Sequence, residues 1–253
     1  MNYEIKQSEN FQYIEEGEGH TIVLLHGLFG ALGNWKDVLD YFKPNYRVVV
    51  PFMPVYDLPL LLTNVSQLSR FIHKFTRYKN YQSYTLVGNS LGGHVALVYV
   101  TKHPERVRNL VLTASSGLYE NTMGGSFPRR EDYNFIKQKV ELTFFNPAYA
   151  TKELVDECFE IVNNRHKVVR ILALAKSAIR HNMSKELKDI KVPTCLIWGR
   201  NDTITPPDVA LEFNRLLPVS DLYWVDQCGH APMIEHPKQF NEILTNWLHK
   251  QGV

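Results

Sequence analysis

The chain has 253 residues, of which 44% are hydrophobic and 12% aromatic, enough to fill the core of one large domain. Its 28 Lys and Arg residues against 26 Asp and Glu residues give a formal net charge of +2. This balance favours neither a nucleic-acid partner nor a basic membrane anchor. No stretch of about 18 uncharged apolar residues occurs, so no membrane-spanning helix is predicted.

Short runs of β-branched residues alternate with helical patterns from about residue 34 onward, which predicts a mostly parallel sheet flanked by helices. Eight strands are predicted, at residues 3–6, 11–15, 21–25, 46–51, 84–88, 107–113, 194–199 and 221–225. Core helices are predicted at residues 35–42, 65–78, 91–103, 206–217 and 238–250. Because no helical pattern separates the first two strands, we expect them to pair antiparallel. The predicted fold class is therefore α/β.

The alternation stops between the sixth and seventh predicted strands. Residues 117–190 contain helical patterns and no convincing strand, and turn-forming residues at Gly117 and Pro193 mark the edges of this block. We therefore predict a helical cap at 117–190, inserted into an α/β core formed by residues 1–116 and 191–253.

A sharp turn between a strand and a helix is predicted at Gly88-Asn89-Ser90-Leu91-Gly92. In such a Gly-x-Ser-x-Gly turn the glycines remove side chains that would collide, and the serine hydroxyl projects above the sheet. The following helix directs free N–H groups toward this position. The alternative is a glycine-rich turn without chemistry; a dinucleotide-binding turn is disfavoured, because Ser90 stands where its pattern needs a second glycine. Ser90 is the candidate nucleophile.

His230 is the candidate general base. A serine hydroxyl is a weak nucleophile until a nearby imidazole accepts its proton. Among the ten histidines, His230 lies just past the last predicted strand, between Gly229 and Pro232, and open α/β sheets build their sites at the carboxyl ends of strands. His94, shortly after the nucleophile, is expected to be a packed helix residue instead.

Asp202 is the candidate acid that orients the imidazole. Where the serine comes first along the chain, the carboxylate lies in sequence between the nucleophile and the base, and it follows a strand. Asp202 follows the strand predicted at 194–199. Residues 114–117, after the sixth strand, contain no acid, and Asp226 is a rival on the same loop as His230.

Two backbone N–H groups are predicted to bind the oxyanion of an acyl-transfer reaction. One is that of Leu91, next after the nucleophile. The other is expected in the glycine-flanked loop after the third strand, at Leu28, with Phe29 as the fallback. His26, at the start of this loop, is expected to brace it by hydrogen bonding.

These motifs make the chain resemble the α/β-hydrolase superfamily over its whole length except the cap. The residues that carry the resemblance are His26, Gly27, Gly88, Ser90, Gly92, Gly199, Asp202, Gly229 and His230. The chain is most similar to capped, single-chain bacterial esterases, perhydrolases and carbon-carbon bond hydrolases. The resemblance implies that substrate enters between cap and core and that an acyl-enzyme forms on Ser90.

Three details of the sequence bear on the reaction that the resemblance implies. Serine at position 90 disfavours the epoxide and haloalkane chemistry of relatives with aspartate there. Residues 51–57 depart from the Asp-x-Pro-Gly-x-Gly turn of many relatives, so one pocket wall differs. Asn89 is found in carbon-carbon hydrolases, but their Gly-Pro-Gly oxyanion loop is missing here.

The function expected from the sequence is hydrolysis of a small to medium apolar carboxylic ester by a serine hydrolase. Apolar cap residues are predicted to line the substrate pocket: Met123, Phe127, Tyr133, Phe135, Phe144 and Phe145. The alternatives on the same triad are carbon-carbon bond hydrolysis, amidase or peptidase activity, and perhydrolysis. From another class, the chain could be a non-catalytic ligand-binding protein on a hydrolase scaffold.

The expected partner is a small-molecule substrate, with no nucleic acid, no membrane, no metal and no cofactor. Three irregularly spaced cysteines suit reduced thiols, and the polar N-terminus has no signal-peptide core. These features predict a cytoplasmic protein, as a monomer or homodimer.

Overall fold

The structure, a computed structural model, describes residues 3–30, 35–121 and 129–253. The described strands are β1 (Lys6–Gln7), β2 (Gln12–Glu16), β3 (Thr21–Leu25), β4 (Arg47–Pro51), β5 (Tyr84–Asn89), β6 (Val107–Thr113), β7 (Thr194–Gly199) and β8 (Ser220–Val225). They form one sheet in the order β1-β2-β4-β3-β5-β6-β7-β8. The β1–β2 and β2–β4 pairs are antiparallel, and all other neighbours are parallel. The predicted α/β class and the antiparallel first pair are confirmed.

Helices cover both faces of this sheet. Those described are α1 (Lys36–Phe42), α2 (Val65–Tyr78), α3 (Leu91–Lys102), α4 (Tyr133–Glu141), α5 (Lys152–Asn163), α6 (Arg165–Arg180), α7 (Pro207–Leu216), α8 (Pro232–Glu235) and α9 (Pro237–Lys250). The five predicted core helices are confirmed to within one residue at each end, and α2 matches at both ends. The short α8 was not predicted.

The first strand lies later than the sequence pattern indicated. Residues 3–6 were expected to pair, whereas only Lys6–Gln7 pairs with β2. The reason lies at Tyr3, whose hydroxyl donates a hydrogen bond to the Asp40 carboxylate on α1. The chain before β1 is therefore directed toward α1 and away from the sheet edge.

Each face of the sheet carries its own hydrophobic cluster, because alternate strand residues point to opposite faces. Within β3, Val23 and Leu25 belong to one cluster, and Ile22 and Leu24 belong to the other. The first cluster packs against α2, α3 and α7, and the second against α1 and α9. Because β3, β5, β6, β7 and β8 run parallel, their carboxyl ends lie at one edge of the sheet, where the candidate site residues lie.

Three of the described α-helices, α4, α5 and α6, follow β6 and precede β7, and we call them the cap helices. Each begins after a residue whose side chain accepts a hydrogen bond from the first turn: Asp132, Thr151 and Asn164. Each also buries one apolar stripe, as amphipathic helices do. The division into a core of 1–116 and 191–253 and a cap of 117–190 stays a prediction.

Throughout the described ranges, no helix is both long enough and apolar enough to cross a membrane. All three cysteines, Cys158, Cys195 and Cys228, are buried free thiols.

Candidate active site

Ser90 occupies the sharp turn between β5 and α3. Its backbone angles are φ 53° and ψ −120°, and a positive φ is strained for a residue with a side chain. The flanking glycines make the turn possible: a Cβ on Gly88 would lie 2.5 Å from Gly92 O, and one on Gly92 would lie 2.3 Å from Leu25 O. Ser90 N–H also donates to Thr113 O over 3.2 Å, which fixes the turn to β6.

The Ser90 hydroxyl is not used to cap the helix that follows it. Ser90 precedes the first residue of α3, but its side chain makes no capping hydrogen bond. The residue is half-buried and lines a cavity of about 210 Å³ that also has His230 in its wall. The hydroxyl is therefore available to a molecule bound in that cavity.

His230 and Asp202 form a buried hydrogen-bonded pair. His230 Nδ1 lies 2.9 Å from Asp202 Oδ2, and only 7% of His230 and 2% of Asp202 are exposed. An ionised carboxylate can only accept a hydrogen bond, so Nδ1 carries the proton and donates a hydrogen bond to Asp202. This tautomer leaves His230 Nε2 with a lone pair that can accept a proton.

Thr205 fixes the Asp202 carboxylate in place, a role that was not predicted. Its hydroxyl donates to Asp202 Oδ2 over 2.7 Å, and its N–H and that of Ile204 donate to Oδ1 over 3.0 and 2.8 Å. Trp198 in turn holds the segment, because its indole N–H donates to Thr205 O over 2.8 Å. Both carboxylate oxygens are thus satisfied without solvent, as a buried charge requires.

The loop that carries His230 is anchored to the segment after α4 and to the nucleophile turn. His230 N–H donates to Thr143 O over 2.8 Å, just past α4. The side-chain amide of Asn89, next to the nucleophile, donates to His230 O over 3.3 Å and to Thr113 O over 3.2 Å. Asn89 therefore ties the base to the nucleophile through the backbone.

The environment raises the pKa of His230 above its ordinary value of 6.5. Burial alone lowers this pKa, because it disfavours the imidazolium. The charge of Asp202 and its hydrogen bond outweigh burial, and the charge of Glu120 acts in the same direction. The pair is therefore suited to stabilise a positive charge on His230 after proton transfer.

One of the two predicted oxyanion donors lines the same cavity, and the other directly follows the nucleophile. Leu28 lines the cavity, as does the fallback residue Phe29, and Leu91 is the first residue of α3. Within the described parts of the chain, neither Leu28 N–H nor Leu91 N–H donates a hydrogen bond to the protein. Both N–H groups are therefore available to an oxygen atom of a bound molecule.

His26 braces the loop that carries Leu28. Its Nδ1 lies 2.8 Å from Gly27 O, and Met53 N–H donates to its Nε2 over 3.1 Å. The Nδ1–H tautomer satisfies both contacts, since one nitrogen donates and the other accepts. Complete burial lowers the pKa of His26 to about 4, so the ring stays neutral at neutral pH.

The cavity lies between the sheet edge and the cap helices, and most of its lining is apolar. The apolar side chains from the cap helices and the segment after α4 are Ile136, Val140, Phe144, Leu154, Val162, Ile171, Leu172 and Ile179. Of the four predicted cap residues that the structure describes, only Phe144 is among the lining residues. Met123 and Phe127 lie outside the described residues.

Tyr133, Phe135 and Phe145, which were predicted to line the substrate pocket, are not among the described residues that line this cavity. Tyr133 donates a hydrogen bond to Asp156 on α5 over 2.6 Å, and Phe145 is 46% exposed. Phe135 packs against one of the two core clusters. Tyr133 is hydrogen-bonded to α5, while Ile136 and Val140, further along the same face of α4, line the cavity.

Glu120 is an acidic cavity residue that the sequence reasoning missed. Residues 114–117 contain no acid, but Glu120 follows on the same connection, lines the cavity and accepts a hydrogen bond from Ser116 Oγ over 2.8 Å. It lies close enough to His230 to affect its pKa. No strand-end motif points to it, because the chain travels several residues past β6 before turning back. Its charge contributes to the raised pKa of His230.

Competing residues have other environments. Asp226 is an exposed residue that forms an ion pair with Arg200 at 2.6 Å. Cys158 also lines the cavity, but burial raises the pKa of its thiol to about 12, and the nucleophilic form of cysteine is the thiolate. His94 is buried in α3, as expected, and bonds His181 at 3.0 Å.

No group of three or more His, Cys, Asp or Glu residues within the described ranges is arranged to hold a metal ion.

An eight-stranded, mostly parallel sheet that carries a serine turn at its edge and helices between β6 and β7 has the α/β-hydrolase fold. Residues 22–243 match the sequence profile of the Alpha/beta hydrolase family, and the chain belongs to that family. It is similar to the crystal structure of an α/β-hydrolase enzyme from the metagenome of Mar Chica lagoon sediments, Morocco. The identity is 45%, the TM-score is 0.83, and the match covers 99% of this chain and 100% of the other.

Among characterised enzymes, two relatives represent different reactions. The 2-hydroxy-6-oxo-6-(2'-aminophenyl)hexa-2,4-dienoic acid hydrolase of Metapseudomonas resinovorans is 26% identical, over 95% of this chain and 88% of its own. The pimeloyl-[acyl-carrier protein] methyl ester esterase of Nitrosomonas europaea is 29% identical, over 88% of this chain and 94% of its own. Family and relatives thus identify a hydrolase.

Proposed function

We propose that this protein is a serine hydrolase that cleaves a small to medium apolar carboxylic ester through an acyl-enzyme on Ser90. The observation that carries the proposal is one cavity that brings the Ser90 hydroxyl, the His230–Asp202 pair and an apolar lining together. A nucleophile, its base and an orienting acid are the groups that acyl transfer needs.

In the proposed first step, His230 Nε2 accepts the Ser90 proton while Oγ attacks the ester carbonyl carbon. The resulting imidazolium is stabilised by Asp202, which stays ionised. The oxyanion that forms accepts hydrogen bonds from Leu28 N–H and Leu91 N–H, each worth about 10²–10³ in rate. His230 then gives the proton to the leaving alcohol, and a water molecule activated by His230 releases the acid.

The size and lining of the cavity favour a short to medium acyl group. A volume of about 210 Å³ is below the roughly 300–1,000 Å³ of pockets that hold drug-sized ligands. The substrate is proposed to enter between the cap helices and the core, so that its apolar part contacts residues such as Ile136 and Phe144.

Hydrolysis of p-nitrophenyl esters with acyl chains of increasing length tests this proposal. We expect kcat/KM to pass through a maximum at short to medium chains, and Ser90→Ala to abolish turnover without lowering the melting temperature by more than a few degrees. Turnover by folded Ser90→Ala at the wild-type rate would rule out the acyl-enzyme.

Carbon-carbon bond hydrolysis is the second candidate, favoured by the dienoate hydrolases among the relatives. Asn89, a residue that carbon-carbon hydrolases also have at this position, donates hydrogen bonds to the backbone carbonyls of Thr113 and His230. The protein is incubated with 2-hydroxy-6-oxo-6-phenylhexa-2,4-dienoate, and cleavage is measured as the loss of the dienoate's absorbance. Comparison with the ester assay separates carbon-carbon bond hydrolysis from ester hydrolysis. A kcat/KM above that for every ester would make the carbon-carbon reaction the better assignment, while amide and peracid assays cover the remaining alternatives.

A further inference from the structure

Three consecutive leucines project into solvent from a single 3-10 turn. The turn comprises Leu60–Leu62, and we call it the leucine turn. Leu61 is 95% exposed, and Leu60 and Leu62 are 52% and 46% exposed. Single exposed leucines are common, but three in succession form an apolar projection that monomeric proteins usually avoid unless it binds something.

The leucine turn lies beside the middle of α6. On one side of the turn, Arg170 Nε donates to Leu58 O over 2.8 Å. On the other side, Val65 N–H donates to Ser177 Oγ over 3.2 Å. Because Arg170 and Ser177 lie on one side of the helix, the adjacent helix face forms a continuous surface with the leucines. The residues of that face are Val169, Ala173, Lys176 and Arg180.

This surface is strongly basic. Helix α6 contains no Asp or Glu, and three of its five cationic residues, Arg165, Lys176 and Arg180, share this exposed face. Of the other two, Lys167 lies over the Tyr56 ring, and Arg170 donates hydrogen bonds to the carbonyls of Leu58 and His166. None of these five forms an ion pair with a described residue. One exposed acid, Asp57, precedes the leucine turn. The positive charge is therefore available to an external anion.

The same helix borders the cavity. Leu172, Lys176 and Ile179 of α6 line it, and Ile179 is 43% exposed. The basic surface and the leucine turn are thus continuous with one wall of the candidate active site. A partner bound there would lie next to the cavity.

We propose that the leucine turn and the exposed face of α6 dock the protein on an anionic lipid surface. The leucines would enter the boundary between headgroups and acyl chains, and the cations would contact lipid phosphates, as in other interfacial elements. No membrane partner was predicted, because the net charge is small and no segment can span a membrane. Peripheral docking requires neither a large net charge nor a spanning segment. This inference does not depend on the reaction proposed for Ser90.

Other occupants explain the surface less well. A second copy docked around a two-fold axis would bring the cations of one α6 against those of the other, which is repulsive. A protein partner would need a pocket to receive Leu61, whose side chain stands out from the surface. A fluid acyl layer accepts such a projection without a preformed pocket.

Vesicle sedimentation tests the proposal with the full chain. We expect the protein to bind vesicles of phosphatidylglycerol and phosphatidylcholine, to bind pure phosphatidylcholine weakly, and to lose binding as salt is raised. Leu61→Asp should weaken partitioning about tenfold or more, since it removes an inserted apolar side chain. Arg180→Gln should weaken it about fivefold, the share of one cation near an anionic surface.

Two control variants test whether the effect belongs to this surface. Leu211→Asp changes a side chain that is 52% exposed on α7, and Lys238→Gln removes an exposed cation on α9. Both should bind as the wild type does. Because Leu61 makes so little contact with the protein, its replacement should leave the melting temperature unchanged.

Several outcomes would overturn the proposal. One is no binding to either vesicle, and another is equal binding to both, which would exclude a role for charge. Equal losses in Leu61→Asp and Leu211→Asp would also overturn it. A concentration-dependent dimer that Leu61→Asp dissociates, without vesicle binding, would make the surface a contact between copies instead.

Discussion

The hydrogen bond between His230 Nδ1 and Asp202 Oδ2 determines the tautomer of the proposed base. Because Thr205 and Ile204 already satisfy the remaining acceptor sites of Asp202, the carboxylate has no freedom to rotate away. The sequence could identify Asp202 and His230, since each follows a predicted strand. It could not identify Thr205 or Glu120, whose roles depend on how two loops meet in space.

Replacing Asp202 with asparagine should lower kcat/KM by about 10³–10⁴, because an amide can favour the wrong imidazole tautomer and carries no charge to stabilise the imidazolium. The residual activity should be measured alongside the melting temperature. Asp226→Asn is the matched control, since Asp226 is exposed and pairs with Arg200. Similar losses in both variants would contradict the role given to Asp202.

The pH dependence of kcat/KM should reflect the raised pKa of His230. A protonated base cannot accept the Ser90 proton, so activity should fall as the pH drops through a value above 6.5. Glu120→Gln keeps an acceptor for Ser116 but removes a charge that raises this pKa. Its acidic limb should therefore move to lower pH.

The control for that shift is Glu153→Gln, an exposed acid on α5. Its pH profile should match the wild type. An acidic limb that is identical in Glu120→Gln and the wild type would show that Glu120 has no electrostatic effect on the base.

At the scale of elements, the cap helices and the His230 loop share a buried carboxylate. Glu235 on α8 accepts hydrogen bonds from Phe145 N–H and Asn146 N–H through Oε2, and from Gly229 N–H through Oε1. It is 3% exposed. The segment after α4 is therefore connected directly to the residue before the proposed base.

Glu235→Gln should reduce the free energy of unfolding by about 1–3 kcal/mol, because the amide NH₂ would face a buried N–H donor in place of an acceptor. Chemical denaturation measures this loss. Glu242→Gln, at an exposed position on α9, should change stability by less than about 0.5 kcal/mol. If Glu235→Gln left the free energy of unfolding unchanged, the hydrogen bonds of Glu235 would not stabilise the fold.

Sequence patterns predicted the core elements well and the cap poorly. Helix α2 matches its predicted bounds because Asn64 caps its first turn and its apolar face is regular. In α4, the pattern did not separate the residues that face the cavity from those that face α5. Aromatic type suggested Tyr133 and Phe135, but Ile136 and Val140 line the cavity. Which residues of a helix reach a cavity depends on tertiary packing, which local patterns do not encode.

Considered as a whole molecule, the protein buries two neutral histidines outside the proposed catalytic pair. Burial lowers the pKa of His26 to about 4 and, with the charge of His181, that of His94 to about 3. Both pKa values lie below the unfolded value of 6.5. A lowered histidine pKa stabilises the fold at neutral pH, and that stabilisation is lost as the pH falls below about 6.5.

The free energy of unfolding should therefore decrease by about 2 kcal/mol per buried histidine between pH 7.5 and pH 5. His230 acts in the opposite direction, because its raised pKa adds stability as the pH falls. Denaturation at a series of pH values tests the net slope. His94→Gln should flatten it, whereas an unchanged slope would contradict the burial of a neutral His94.

Covalent labelling with a fluorophosphonate probe, followed by peptide mapping, determines whether Ser90 is an activated nucleophile, and it requires no knowledge of the substrate. We expect a single modified residue, Ser90, with labelling lost in Ser90→Ala and strongly slowed in His230→Ala. An unlabelled Ser90 in the folded wild-type protein would contradict its role as the nucleophile and favour a ligand-binding role on the same scaffold.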